Sequence, residues 1–221
     1  MLSVTPTDPA VLSRFRRLYE RFVGPGDLVF DVGANIGENS ALFAALGARV
    51  VAIEPLPECA PLLAAPAVAV ERCALGATEG ELDLHVCSRA LDISSGSTDW
   101  IRAMTDAGLA TGPWDRRLTV PVTTLDALVA RHGKPRFVKV DVEGCELDVL
   151  LGLSRHVDAV SIETHSAMLD EAVGCVARLE DLGFQRYAVS PGHSAELSPW
   201  TDAGGARAAV AEIEWGDLYA R

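Results

Sequence analysis

The sequence has no long run of lysine or arginine, and its 19 basic residues face 31 acidic ones, for a formal net charge of −12. A surface that tracks phosphates needs clustered positive charge, so a nucleic-acid partner is not expected. The five cysteines (Cys59, Cys73, Cys87, Cys145 and Cys175) are odd in number and never spaced as C-x-x-C. That pattern suits neither a disulfide framework nor a zinc site, and points to free thiols in a reducing compartment. No apolar stretch approaches the roughly 20 residues that span a bilayer. The first residues lack the basic-then-apolar order of a signal peptide. A soluble, cytoplasmic protein without a membrane partner is expected. Internal repeats and low-complexity segments are absent too, and the 221 residues are expected to form one domain, 1–221.

What is present is a chain of short apolar strands alternating with helices. Residues 7–22 read as a leading helix within an N-terminal segment 1–24, with Leu12, Phe15, Leu18, Tyr19 and Phe22 on one face. It is expected to pack on the sheet, with coverage of a pocket as the alternative. Strands follow at "LVFDV", "RVVAIE", "AVAVERC", "RFVKVDV", "AVSIET" and "FQRYAVS", with helices at 38–46, 57–65, 145–151 and 167–182. Strands this short and continuously apolar are buried on both faces, so helices lie on each side. The fold class is therefore α/β, a doubly wound, mostly parallel, Rossmann-like sheet. "ELDLHVCS" and "RLTVPVTT" alternate apolar and polar residues and are expected to form an antiparallel hairpin insertion. The tail is expected to add a strand at the sheet edge. Residues 88–115, rich in glycine and serine around a short helix, are long enough to act as a lid. There Ser94, Ser95, Ser97 and Thr98 would bring hydroxyls, and Trp100 an aromatic wall, over a ligand.

The stretch "VFDVGANIGENSALFAALGARVVAIEP" concentrates the special residues. Gly33 and Gly37 can adopt positive φ and let backbone approach a ligand, and Asn35 tolerates the same conformation. Glu54 closes the second strand 21 positions beyond Gly33, where a carboxylate can accept hydrogen bonds from a ribose diol. A dinucleotide would ask for G-x-G-x-x-G and a pyrophosphate on the helix N-terminus. Here that spacing fails, and Asp31 and Glu38 add negative charge. A ligand with a ribose and a cationic centre fits better, as in S-adenosylmethionine. A nucleotide-dependent dehydrogenase is the competing class.

Three blocks in order, "FDVGANIGENS", "AIEPLPE" and "VKVDVEGCELDVLLG", resemble the FkbM family of S-adenosylmethionine-dependent methyltransferases, over roughly residues 27–165. "VPVTTLDAL" and "SIETH" extend the likeness. The resemblance implies a class I methyltransferase fold with S-adenosylmethionine as cofactor. Asp31, Gly33, Asn35 and Gly37 would hold its methionine portion and Glu54 its ribose. Ala74 and Leu75 would border the adenine, and Asp141 would face the methyl-bearing end. The acceptor class it implies is a hydroxyl of a small secondary metabolite or sugar, with nitrogen and carboxyl acceptors as alternatives. Natural product biosynthesis would be the setting, and a homodimer stays open.

Methyl transfer to an alcohol needs in-line alignment and a group that takes the hydroxyl proton. Lys139 and Asp141 share a strand face, and a buried lysine needs a carboxylate partner. Glu143 stands at a helix start, where it would act as a cap or at the site. Glu163 and His165 face the same way at the tip of the next strand, and His165 is the candidate base, with Asp141, Lys139 and Glu163 beside it. The other histidines, including His193, suggest surface positions. Asp141, Glu163 and His165 are acceptable metal ligands, but nothing in their spacing makes them converge, and no metal is expected.

Overall fold

The computed structural model describes residues 8–221; Thr7, the first residue of the expected leading helix, lies outside them. In chain order the elements begin with α1 (Pro9–Tyr19), β1 (Leu28–Val32), α2 (Glu38–Ala45), β2 (Arg49–Ile53), β3 (Val68–Glu71), β4 (Ala74–Leu75) and β5 (Gly80–Val86). They continue with α3 (Thr98–Asp106), β6 (Arg116–Thr123), α4 (Leu125–His132), β7 (Phe137–Val140), α5 (Glu146–Leu151) and β8 (Val160–His165). The last are α6 (Leu169–Asp181), β9 (Tyr187–Pro191), α7 (Ala203–Glu212) and β10 (Trp215–Ala220).

Seven strands make one sheet in the order β3-β2-β1-β7-β8-β10-β9. The first five of that order are parallel neighbours, and β10 runs antiparallel to both β8 and β9. Strict alternation divides the strand residues between two apolar layers. Phe30, Val32, Val138, Val140, Val160, Ile162 and Leu218 face α4, α5, α6 and α7. Val29, Val50, Phe137 and Tyr219 face the other way, onto Leu18 and Tyr19 of α1, Phe22, and Phe43 of α2. Phe22 stacks on both Phe137 and Tyr219 with ring centroids 5.4 Å apart. Burying each such ring or branched chain stabilises by about 1.5–3 kcal/mol, so the central strands need no polar edge. A second sheet, β4-β6-β5, carries the expected hairpin, β5 against β6, with α3 in the connection between them.

Three expectations are corrected. Residues 57–65 form successive turns, not a helix. Pro61 in mid-segment removes a donor and disfavours helical geometry at Ala60. The C-terminal strand is not at the edge: β10 lies between β8 and β9, with five of its six residues buried. Both faces of "DLYA" meet core layers, which the polar approach "EIEW" disguises. Helices α4 and α7 were not foreseen. Each starts at a side-chain cap, Thr124 accepting from Ala127 N–H at 3.1 Å and Asp202 from Gly205 N–H at 2.9 Å. Two glycines in α7 weaken its intrinsic helix preference, and packing of Ala203, Ala206 and Val210 into the core decides the matter.

Among the described residues no helix is long and apolar enough to cross a membrane. The sheet order turns back between β1 and β7, and the carboxyl ends of β1, β2, β7 and β8 open there. In an open α/β sheet this is where ligands bind.

Candidate active site

Two cavities meet at the tips of β1 and β7. The first is a cleft of about 610 Å³ including its mouth, lined by Gly33, Asn35, Glu54, Leu56, Ala74, Leu75 and Asp141 among others. Leu82, Leu84 and Leu91, from β5 and the segment after it, add an apolar wall that the sequence analysis did not assign. Glu54 is 5% exposed. Its carboxylate accepts Leu56 N–H at 2.7 Å and Asn35 N–H at 2.8 Å. Burial pushes its pKa up to about 7, against the pull of those two N–H groups. Asn35 takes φ +47° to present its N–H.

The glycines serve the chain more than a ligand. A Cβ on Gly33 (φ +79°) would lie 1.7 Å from the Asp141 carbonyl oxygen, and one on Gly37 (φ +90°) 2.7 Å from the Leu63 side chain. Neighbouring protein, not bound ligand, fills the space that a side chain would take. Gly37 does not line the cleft, and neither does Asp31. Asp31 is 1% exposed and accepts the Ser40 hydroxyl at 2.6 Å. It lies in mid-strand, one step below Gly33 on the same face, so it supports the floor and does not reach the opening.

The second cavity is about 1070 Å³ including its mouth, and shares Gly33, Asn35, Asp92, Asp141 and Glu143 with the first. Strand register explains its chemistry. Asp31 pairs with Lys139, Lys139 with Ser161 and Ser161 with Tyr219, so all four point to one face. One pleat nearer the tips, the same face carries Gly33, Asp141, Glu163 and Asp217, with Glu163 directly opposite Asp217. Lys139, 4% exposed, donates to Asp141 at 2.6 Å. Burial opposes its charge, but Asp141, Asp217, Tyr19 and Asp31 outweigh burial and hold its pKa well above the ordinary value. Asp217 is pushed up to about 6 by burial, with Lys139 pulling the other way. Phe15, Tyr19, His193 and Trp215 form the aromatic side of this cavity. His193 meets Trp215 edge-on at 4.9 Å and Phe15 at 6.5 Å. The leading helix thus both packs on the sheet and walls a pocket, and His193, exposed as expected, lines that pocket as well.

Between the cavities, the turn after β7 is held in an unusual shape. Glu143 has φ +58°, a conformation that costs a non-glycine residue about 1–3 kcal/mol and needs outside support. Glu146 supplies it, accepting Val142 N–H at 2.9 Å and Gly144 N–H at 3.0 Å. Ser95 adds a bond from its hydroxyl to the Glu143 carbonyl at 2.6 Å. Glu146 was missed because an acid in the first turn of a helix reads as ordinary dipole matching. Its only signal is position, two residues after Gly144.

The Ser95 part of this support comes from residues 88–115. The Ser94 hydroxyl accepts Cys87 N–H at 3.3 Å, and that of Ser97 caps α3 through Trp100 N–H at 3.1 Å. Trp100 is 6% exposed, packed where a Cβ on Gly144 would clash with it. Ser95, Ser97 and Trp100 therefore brace the turn, while Ser94 lines the first cleft.

Carboxylate oxygens of Asp141, Glu143 and Glu163 all lie within 4.8 Å of one another. Burial first, then their mutual repulsion, pushes the pKa of Glu143 and of Glu163 well above the ordinary carboxylate value. Two of the three ligand-type residues singled out in the sequence, Asp141 and Glu163, are thus brought together, with Glu143 beside them. His165 is not the third member. It lines a separate pocket of about 300 Å³ with Trp100, Glu146, Met168 and Glu171. Its Nδ1 accepts Ala167 N–H at 3.1 Å, because β8 turns at once into a short 3-10 helix. Burial lowers its pKa, opposed by Glu214.

A Rossmann-like sheet with an acid closing β2 beside the β1 turn is an arrangement that suits a ribose-bearing cofactor. The TehB-like SAM-dependent methyltransferase of Corynebacterium glutamicum has a similar fold, at 9% identity and TM-score 0.50, covering 94% of this chain and 86% of its own. A precorrin-6y C5,15-methyltransferase from Geobacter metallireducens aligns at 12% identity and TM-score 0.46, covering 96% and 85%. No curated protein matches the sequence. Residues 31–186 match the Methyltransferase FkbM domain, and the chain belongs to that family.

Proposed function

We propose that this S-adenosylmethionine-dependent enzyme methylates a hydroxyl oxygen of a small secondary metabolite or sugar. The observation that carries the reading is the junction of two unlike cavities at Asp141 and Glu143. The first fits the cofactor. Glu54 is buried and fixed by two backbone N–H groups, yet each carboxylate oxygen keeps a lone pair for a ribose hydroxyl. Ala74 and Leu75, with the leucines of β5, offer a flat apolar slot to adenine. When bound, the cofactor would supply an electrophilic methyl group to the acceptor oxygen, its sulfur leaving as the thioether, and a carboxylate oxygen of the Asp141, Glu143 and Glu163 set would take the hydroxyl proton.

The second cavity suits a hydroxylated acceptor. Trp215, His193 and Phe15 present ring faces and edges, while Asp217 and Glu163 present hydrogen-bond acceptors opposite them. Lys139 keeps Asp141 in place, and the Glu146 clamp fixes the Glu143 turn so that acceptor and donor are held in line. Such positioning can lower a barrier by about 7–11 kcal/mol.

The test is methyl transfer from the labelled cofactor to a panel of sugars and hydroxylated metabolites, with products located by mass spectrometry. Methyl ethers are expected. Products methylated solely at nitrogen or carboxylate would replace this reading with another acceptor class.

A further inference from the structure

We propose that Arg14, Arg17 and Arg21, on α1, form a binding site for a small metabolite that carries phosphate groups. The site lies outside both cavities, and its occupancy does not depend on the hydroxyl-methylation reading.

The three arginines recur at intervals of three and four, so they share one face of the helix. With Leu18 they make one wall of a groove of about 650 Å³ including its mouth, and Ser194, Ala195, Glu196 and Leu197 make the other. Acid outnumbers base in this chain, 31 residues to 19, yet none of the three is ion-paired among the described residues. Arg16, beside them in the chain, takes Glu20 at 3.4 Å. Glu196 lines the groove without pairing, so three positive charges face one negative. Residues 1–7 contain no aspartate or glutamate that could neutralise them.

Arg14 points independently to an occupant. Its Nη2 donates to the His193 carbonyl at 3.3 Å, which orients the planar guanidinium. Its Nε is buried and has no hydrogen-bond partner among the described residues. Unsatisfied buried donors are rare, and each calls for a bound partner. A guanidinium matches a group with two oxygens side by side, as in phosphate or carboxylate. Arg14 and Arg21 stand about 10 Å apart along the helix, a span that suits two linked phosphates better than one carboxylate. Arg17 holds the Ser13 hydroxyl at 3.0 Å, and Arg21 has no partner among the described residues, so both can close on the ligand.

A membrane or a nucleic acid fits the groove less well. A net charge of −12 repels extended anionic surfaces. Glu196 stands on the groove wall, and the Arg14 Nε lies below the level that a flat surface reaches. On another face, α1 walls the acceptor cavity with Phe15 and Tyr19. A ligand in the groove would therefore pin α1 against the segment that carries His193, at the edge of that cavity.

The experiment uses the full chain without cofactor or acceptor, in a phosphate-free buffer of low ionic strength. Inorganic pyrophosphate is titrated by calorimetry, with thermal melting in parallel. One saturable site is expected below millimolar concentration, weakened by added salt, with orthophosphate binding less tightly. Arg14→Gln and Arg21→Gln should each weaken it by about tenfold or more, while Arg102→Gln, on α3, leaves it unchanged. Pyrophosphate should raise the melting temperature of the parent protein by mass action and leave the double variant of Arg14→Gln and Arg21→Gln unmoved. Arg21 is exposed, so its variant keeps the fold and carries the comparison even where Arg14→Gln destabilises. Failure to saturate below millimolar concentration, or equal binding by parent and both variants, overturns the site. So does sedimentation of the parent with phosphatidylserine vesicles when pyrophosphate does not bind. Calorimetry with S-adenosylhomocysteine on the same samples reports separately on the cofactor cleft. A protein that binds it but not pyrophosphate loses this inference and keeps the methyltransferase reading.

Discussion

The two cavities handle buried acid in opposite ways. In the cofactor cleft one carboxylate, Glu54, is held by two backbone N–H groups from the turns that flank it. In the acceptor cavity Asp141, Glu143, Glu163 and Asp217 crowd together with Lys139 as their lysine. A backbone-held acid is preorganised and selective for neutral donors such as a ribose diol. A crowded set is under repulsion until something cationic or a proton relieves it. The cleft is therefore built to be complete before its ligand arrives, and the cavity is built to be completed.

The largest effect should come where the regions touch. Gly33→Ala puts a Cβ 1.7 Å from the Asp141 carbonyl at φ +79°. Strain and overpacking together should cost roughly 3 kcal/mol or more. Both S-adenosylhomocysteine and acceptor binding should be lost, with a lower unfolding midpoint in urea. Retention of either ligand would mean that the two cavities are not locked together at this point.

Glu54→Ala should break one side alone. It removes the ribose acceptor and orphans the N–H groups of Asn35 and Leu56, so S-adenosylhomocysteine should bind about 100-fold more weakly by calorimetry. Acceptor binding at the other cavity should hold. The pH dependence sharpens the same contrast. The Glu54 pKa is raised from 4.5 to about 7, and the ionised form is the better acceptor. Cofactor affinity should thus fall as pH drops through about 7. Stability moves the other way: the folded state holds this proton more tightly than the unfolded chain. Glu54's stabilising contribution is therefore full below about 4.5 and lost as pH rises through 7. Glu54→Gln should flatten both profiles.

Glu146→Ala should act on the bridge between the regions. Without the clamp, the Glu143 turn can relax from φ +58°. Turnover should fall by about 10–100-fold, while cofactor affinity changes little, since the lost term is positioning. Glutamine offers a single acceptor oxygen where the carboxylate offers two, so Glu146→Gln should recover part of the loss. A fall in cofactor affinity matching the fall in turnover would make Glu146 a part of the cleft instead.

The comparison also explains what the sequence disclosed. The cleft is local. Gly33, Asn35 and Glu54 lie on two adjacent strands and one turn, so their spacing along the chain reports their spacing in space. The acid wall is not local. Glu163 and Asp217 are brought opposite each other because β10 inserts between β8 and β9, and that insertion has no signature in "EIEWGDLYAR". Parity within one strand was readable, and it put Lys139 beside Asp141. Parity says nothing of how deep a residue lies, so Asp31 was assigned to the ligand although it sits one pleat too low. Hydroxyls in 88–115 were visible as residue types, but their partners, the Glu143 carbonyl and the α3 amides, come from pairing that only the fold creates.

The smallest effect should be that of His165→Ala. By residue type it is the natural base, with an unperturbed pKa suited to neutral solution. By position it belongs to neither main cavity, and one ring nitrogen is occupied by Ala167 N–H. A true general base contributes about 100-fold or more, whereas loss of a rim cap should change turnover by no more than about twofold and leave its pH profile in place. A hundredfold fall with a changed acid limb would move proton removal out of the carboxylate wall and onto β8's last residue. The functional boundary of the acceptor region would then extend past Glu163 into the smaller pocket behind Trp100.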